Sequence, residues 1–169
     1  LLPLIGADLW FTGEAAPEGT PERLRQRALV LLAEWNGEMN EHLPEPLIAE
    51  AWLRALMKRL IQDELGAMSE SFTHISPVFI ERVYRNVGGA SVWCDVIQSA
   101  AVESCTDVAR IALDEALLDL TETYGPNLES WRWGDAHLAT HDHPVLGEVP
   151  FLRYFVNIRQ STSGGDDTL

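Results

Sequence analysis

Apolar positions recur at helical spacing through most of residues 20–124. Thr20-Pro21 predicts a helix start, because Thr suits the N-cap and Pro the first helical position. Leu24, Ala28, Leu31, Leu32 and Trp35 then share one face, with Arg23, Arg25 and Arg27 off it. Asn36-Gly37 predicts the end, Gly supplying the left-handed conformation. After Pro44-Glu45-Pro46 a second helix is expected. Ile48, Trp52, Ala55 and Leu56 line one side and Leu53, Met57 and Leu60 another, a stripe wide enough to meet more than one neighbour. Gly66 stops it, and residues 67–75 read as polar linker. Ser76-Pro77 opens a short helix carrying Phe79, Val83, Tyr84 and Val87, which Gly88-Gly89 breaks before a turn at Trp93-Cys94-Asp95. The longest helix is expected from Ser99 to Tyr124. Val102, Cys105, Val108, Ala109, Ala112, Leu113, Ala116, Leu117, Leu120 and Tyr124 form its dry face, and Gly125-Pro126 closes it. Such a helix would be a spine roughly 39 Å long.

The pattern changes after residue 130. Trp131-Arg132-Trp133-Gly134-Asp135-Ala136-His137 and His141-Asp142-His143-Pro144-Val145-Leu146-Gly147 are dense in groups that could act as ligands, acids or bases. The chain after them, Phe151–Ile158 and then Ser161–Leu169, reads as extended. The fold class is therefore mainly α: a domain of four helices or so, orthogonal or bundle-like, over residues 1–134, with a short β or extended C-terminal segment over 135–169. Leu1-Leu2-Pro3-Leu4-Ile5 is an apolar strip with no evident partner, and Gly164-Gly165-Asp166-Asp167 reads as a turn into a strand that does not arrive. With Leu rather than Met at the first position, both ends read as cuts through a larger protein.

A chain of 169 residues that is 46% hydrophobic can bury one real core. Acidic residues outnumber basic ones 26 to 12, giving a net charge of −14. That charge argues against nucleic acid and anionic membrane as partners; its simplest role is solubility. No apolar run approaches the roughly 18 residues needed to span a bilayer. Two cysteines, Cys94 and Cys105, do not fix the compartment. They form a short bridge if the protein is exported and are buried small residues if it is cytosolic.

His137, His141 and His143, with Asp135 and Asp142, suit zinc by residue type. Thr140-His141-Asp142-His143 begins like a metallo-hydrolase motif, but Pro144, Val145 and Leu146 stand where a further Asp-His pair is needed. The plainer reading has these His capping turns and bonding to backbone. Neither Cys sits in a nucleophile signature, no Gly-x-Ser-x-Gly elbow exists, and Ser161 and Ser163 beside Gly164-Gly165 read as turn residues. Of the tryptophans at 10, 35, 52, 93, 131 and 133, Trp35 and Trp52 occupy helical core positions.

The order of the pieces carries a resemblance. Leu1-Leu2-Pro3-Leu4, Ala33-Glu34-Trp35-Asn36-Gly37, Ile48-Ala49-Glu50-Ala51-Trp52, Trp93-Cys94-Asp95 and Glu103-Ser104-Cys105 come first. Tyr124-Gly125, Trp131–His137, His143-Pro144-Val145-Leu146-Gly147 and Gly164-Gly165-Asp166-Asp167-Thr168 follow. The series resembles the later part of the beta chain of the penicillin acylase (penicillin amidase) family, and covers nearly the whole sequence. Asn36 departs from it, standing where the family usually has Asp. The resemblance implies an N-terminal-nucleophile hydrolase, in which an exposed Ser attacks an amide with its own amino group as base, while a backbone amide and an Asn hold the oxyanion. Substrates would include penicillins, cephalosporin-type compounds and acyl-homoserine lactones. It implies calcium in the full enzyme, a periplasmic or secreted location, and the remainder of the alpha and beta chains as partners. No position here matches the nucleophilic Ser or the oxyanion Asn, so no catalytic, cofactor or metal residue is assigned within 1–169. The chain would be mainly the helical insert, with 135–169 returning toward a core sheet outside it. Trp133, His137, His143 and Gly165 match family positions, and are expected either as structural corners or as borders of the acyl pocket. A free-standing helical interaction module is the competing expectation. It predicts that residues 1–5 and 151–169 pack within the chain, whereas a piece of an amidohydrolase leaves them exposed or strand-paired between copies.

Overall fold

The structure is a computed structural model that describes residues 1–9, 14–72 and 74–165. Trp10, Gly13 and the end of the last motif, Asp166-Asp167-Thr168-Leu169, lie outside the described residues. The chain divides into two compact units, Leu1–Trp35 with Ile48–Leu128, and Asn36–Leu47 with Glu129–Leu169. Helices dominate, as the periodicity predicts.

The first unit is helical. Its elements are α1 (Leu2–Ile5), α2 (Pro21–Glu34), α3 (Glu45–Leu65, in this unit from Ile48), α4 (Pro77–Tyr84) and α5 (Cys105–Tyr124). Two starts form as their caps predict. Thr20 Oγ1 accepts the Arg23 N–H at 3.2 Å and Ser76 Oγ accepts that of Phe79 at 3.4 Å. The core joins Ala28, Leu29 and Leu32 of α2, Ile48, Trp52, Leu56 and Leu60 of α3, Ile80 and Val83 of α4, and the dry face of α5 from Val108 to Leu120. Trp52 is 1% exposed, and its indole N–H donates to the Ala109 carbonyl at 2.9 Å, so its polar atom is satisfied inside the core. Arg25 reaches both carboxylate oxygens of Asp114, at 2.6 and 2.5 Å, and Arg59 pairs with Glu115.

Several expectations are corrected here. The helix expected to be longest begins at Cys105, not Ser99, and spans 20 residues, or roughly 30 Å, against 21 residues for α3. Ser104 forms a capping box with Asp107, which sets the start. The preceding loop is tied in a non-helical shape: Glu103 accepts from the Ser99 hydroxyl at 2.6 Å and from the Val96 N–H at 3.0 Å. Val102, expected on the dry face, is 85% exposed. Helix α2 ends at Glu34 because Trp35 adopts extended backbone, so Gly37 (φ +88°) turns the chain two residues later. Gln26 is buried on α2, its carbonyl accepting the Ala16 N–H at 2.9 Å, and Leu24 and Leu31 stay half-buried. Residues 67–71 of the expected linker lie in 3₁₀ turns that begin at Gly66. The opening strip folds as α1, with Ile5 2% exposed and Leu1 38% exposed.

Cys94 and Cys105 are joined by a disulfide rather than standing as two free thiols. It ties the 3₁₀ segment Val87–Cys94 to the first residue of α5.

The second unit holds α6 (Trp133–Ala136), β1 (Leu138–His141), α7 (Arg153–Val156) and β2 (Ile158–Ser161). β1 and β2 pair antiparallel, from Leu138 opposite Ser161 to His141 opposite Ile158. Phe151–Ile158 was expected to be extended. Most of it is a turn followed by α7, and the strand begins only at Ile158. Val145, Val149, Phe151, Tyr154, Phe155 and Ile158 are all exposed, so the two ends of the chain answer differently: Ile5 packs inside, and the 151–158 stretch does not.

Candidate functional site

The second unit contains the dense stretch picked out in the sequence, and its geometry is a hydrogen-bonded corner. Trp133 is 4% exposed; its indole N–H donates to the Gly164 carbonyl at 2.8 Å. One turn on, His137 stacks on the Trp133 ring, with centroids 4.8 Å apart and planes 11° from parallel. The His137 Nδ1 lies 2.9 Å from the Thr162 carbonyl oxygen. A carbonyl only accepts, so Nδ1 carries the hydrogen. The Thr162 N–H returns a bond to the His137 carbonyl at 3.2 Å.

A loop from far upstream closes the corner. The N–H groups of Trp133, Gly134 and Gly164 donate to the carbonyls of Leu43, Glu41 and Met39, at 2.9, 2.9 and 2.8 Å. The Glu41 N–H donates to Ser163 Oγ at 3.1 Å. Gly134 is where these chains meet most closely. A Cβ there would stand 2.9 Å from Ser161 Cβ and 3.0 Å from Glu41 Cβ, so the position admits only hydrogen.

His143 does a different job. Its Nδ1 accepts from the N–H groups of Val145 and Leu146, at 3.3 and 3.1 Å, and its own N–H donates to Asn157 Oδ1 at 3.0 Å. This ring therefore carries its hydrogen on Nε2, the opposite tautomer to His137. His141, Asp142 and Asp135 are exposed, and Gly165 is half-buried after Gly164. Trp133, His137 and the 164–165 turn thus come together in one corner, while His143 braces its own loop. Sequence reasoning did not assign Glu41, Met39, Leu43 or Ser163 to this corner. Three of them act through backbone carbonyls, which leave no mark in side-chain identity.

The chemistry available in these groups is narrow. Among the described residues no cluster of three or more His, Cys, Asp or Glu side chains could hold a metal ion. The described residues thus present no such cluster for the calcium that the resemblance implies in a full enzyme. Both cysteines are in the bridge and are not thiol nucleophiles. Three groups elsewhere, all in the first unit, are shifted. Hydrogen bonds from Ser99 and Val96 lower Glu103, hydrogen bonds from Ser104 lower Asp107, and burial pushes the Tyr84 phenol up while it donates to the Cys105 carbonyl at 2.8 Å. The first unit also has an apolar groove of about 500 Å³ between the start of α2 and α5, walled by Leu24, Ile111, Leu117, Leu118 and Pro126. Among the described residues, no helix is long and apolar enough to cross a membrane.

Fold and corner together define a mainly α chain in which a histidine- and tryptophan-bearing turn is knitted to a short hairpin. Compared with known protein families, the chain matches penicillin amidase over residues 1–169. It belongs to the penicillin amidase family, a family of hydrolases. No curated protein and no solved structure matches it.

Proposed function

We propose that this chain is the helical part of a penicillin acylase-like amidohydrolase and that residues 1–169 alone do not hydrolyse amides. The observation that carries the reading is the family match across every residue. In the proposed enzyme, a Ser at the start of the beta chain lies in polypeptide outside 1–169. It attacks the acyl carbonyl of a small amide substrate, its own amino group taking the proton. A backbone amide and an Asn side chain, also outside 1–169, stabilise the oxyanion. The amine leaves, and water then releases the acyl group.

Within that enzyme the present residues position rather than react. The Trp133–His137–Thr162 corner ties α6 to the hairpin, which suits a scaffold beside an acyl pocket. Trp133, His137, His143 and Gly165 border that pocket or brace it. The remainder of the alpha and beta chains is the partner, and the exposed Phe151, Tyr154 and Phe155 supply apolar surface for it. The disulfide supports a periplasmic or secreted location, because such bridges persist in oxidising compartments. The burial of Ile5 favours a second reading, a free-standing helical interaction module, which predicts packed ends; the exposure of Phe151, Tyr154 and Phe155 weighs against it.

The test is hydrolysis of a chromogenic phenylacetyl or fatty-acyl anilide by residues 1–169, beside a polypeptide extended to the nucleophilic Ser. Activity in the extended form alone is the expected result. Turnover by residues 1–169 would overturn the proposal and return attention to His137 and His143. Inactivity of both forms on amides would favour the docking module.

A further inference from the structure

Asn36 and Gly37 follow α2 in the second unit, and both are exposed. Gly37 has φ +88°, and nothing lies within 4 Å of the place a Cβ would take. The Asn36 side-chain oxygen accepts the Glu38 N–H at 2.8 Å. Among the described residues, no acceptor takes the Gly37 N–H.

We infer that Asn36 is a site of spontaneous modification, where the chain deamidates itself through a cyclic imide with Gly37. The Gly37 nitrogen, losing its proton to hydroxide, attacks Cγ of Asn36, and a new C–N bond closes the ring. The carboxamide nitrogen takes up a proton and leaves as ammonia. Water then adds to either carbonyl of the imide and opens it, leaving an aspartyl or an iso-aspartyl residue. No oxidant, reductant or other protein is needed.

Two features favour the step here. Gly presents its nitrogen without a side chain to block the approach. Negative charge develops on Asn36 Oδ1 in the tetrahedral intermediate, and the Glu38 N–H already donates to that oxygen, as an oxyanion donor does.

The other four asparagines make internal controls. Asn40 has the same local arrangement, its Oδ1 accepting the His42 N–H at 2.9 Å. The nitrogen that would attack belongs to Glu41, however, and its N–H is committed to Ser163 Oγ. Asn86 and Asn157 precede the β-branched Val87 and Ile158, whose side chains crowd the nitrogen. Asn127 precedes Leu128, which is fully buried. The inference is independent of the amidase reading, since it uses no substrate and no residue of the Trp133 corner except through the Asn40 comparison.

The experiment ages the folded 169-residue chain at neutral and mildly alkaline pH, then follows intact mass, charge by ion exchange, and peptide maps that separate aspartyl from iso-aspartyl forms. A peptide of residues 33–41 serves as the unfolded reference. The expected result is one added negative charge, mapped to Asn36 before any other asparagine, at a rate rising with hydroxide concentration. The Asn36→Gln variant, checked for native circular dichroism, should lose that step and keep any slower ones. Intact Asn36 in the folded chain while the peptide reacts would overturn the inference, because the native loop would then be protective. Equal rates at all five asparagines would overturn it as well.

Discussion

The Cys94–Cys105 bridge should contribute measurably to stability, and its removal is the sharpest test of how the first unit is held. The bridge closes a loop with a sequence separation of 11. Loop-closure entropy for that length is roughly 9 cal/mol/K, so the bridge is worth about 3 kcal/mol near room temperature. For a chain of this size each kcal/mol moves the midpoint by about 2–4 °C, giving a fall of roughly 6–12 °C. Cys94→Ala with Cys105→Ala is the proper perturbation: Cys94 is 1% exposed, and Ser there would add a buried hydroxyl. The measurement is thermal and urea unfolding by far-UV circular dichroism, comparing the double variant, the oxidised chain and the chain reduced with a dithiol. Reduced protein and double variant should agree. The loop has other ties, namely Ser99 and Val96 to Glu103, the Ser104–Asp107 box, and Tyr84 to the Cys105 carbonyl. If those ties persist in the unfolded chain, entropy is already lost without the bridge. A fall below about 2 °C would therefore refute the entropic account and assign the loop's order to its hydrogen bonds.

Two further outcomes are expected. Gly134→Ala should destabilise the second unit by about 1–3 kcal/mol, because the added methyl meets Ser161 and Glu41 carbons closer than contact allows; unchanged urea midpoints would show that the corner has room to relax. Asp107 and Glu103 have folded-state pKa values lowered mainly by hydroxyl and backbone donors. Their stabilisation is present above the unfolded carboxylate value of about 4 and is lost as pH falls through the lower folded values. Asp107→Asn should flatten the acid limb of a urea-midpoint profile, and a limb of unchanged slope would contradict the assignment.

How far the fold was legible follows from where its information sits. The starts of α2 and α4 were readable because Thr20-Pro21 and Ser76-Pro77 act on the backbone three residues away. The start of α5 was misplaced by six residues because periodicity continues upstream of Ser104, while Glu103 turns back to hold the loop. The sequence reads Phe151–Ile158 as extended chain. Yet α7 forms there, and β2 pairs with β1 only from Ile158. In the corner, the rings of Trp133 and His137 stood out in the sequence. The rings bond the Gly164 and Thr162 carbonyls, and the corner's backbone N–H groups are met by carbonyls of Met39, Glu41 and Leu43, ninety or more residues upstream of them.

The sequence by itself determined the helical class, the starts of α2 and α4, the dry faces of α3 and of α5 from Val108 to Leu120, and, through the ordered motifs, the family. These are local or periodic signals, and a side chain's own chemistry writes them. Only the tertiary structure decided that Cys94 and Cys105 are bonded, that His137 and His143 carry opposite tautomers, and that Gly134 has no space for a methyl. Each of those depends on which atoms the fold brings alongside: the partner sulfur, the Thr162 carbonyl or the Val145 and Leu146 N–H groups, and the Ser161 and Glu41 carbons.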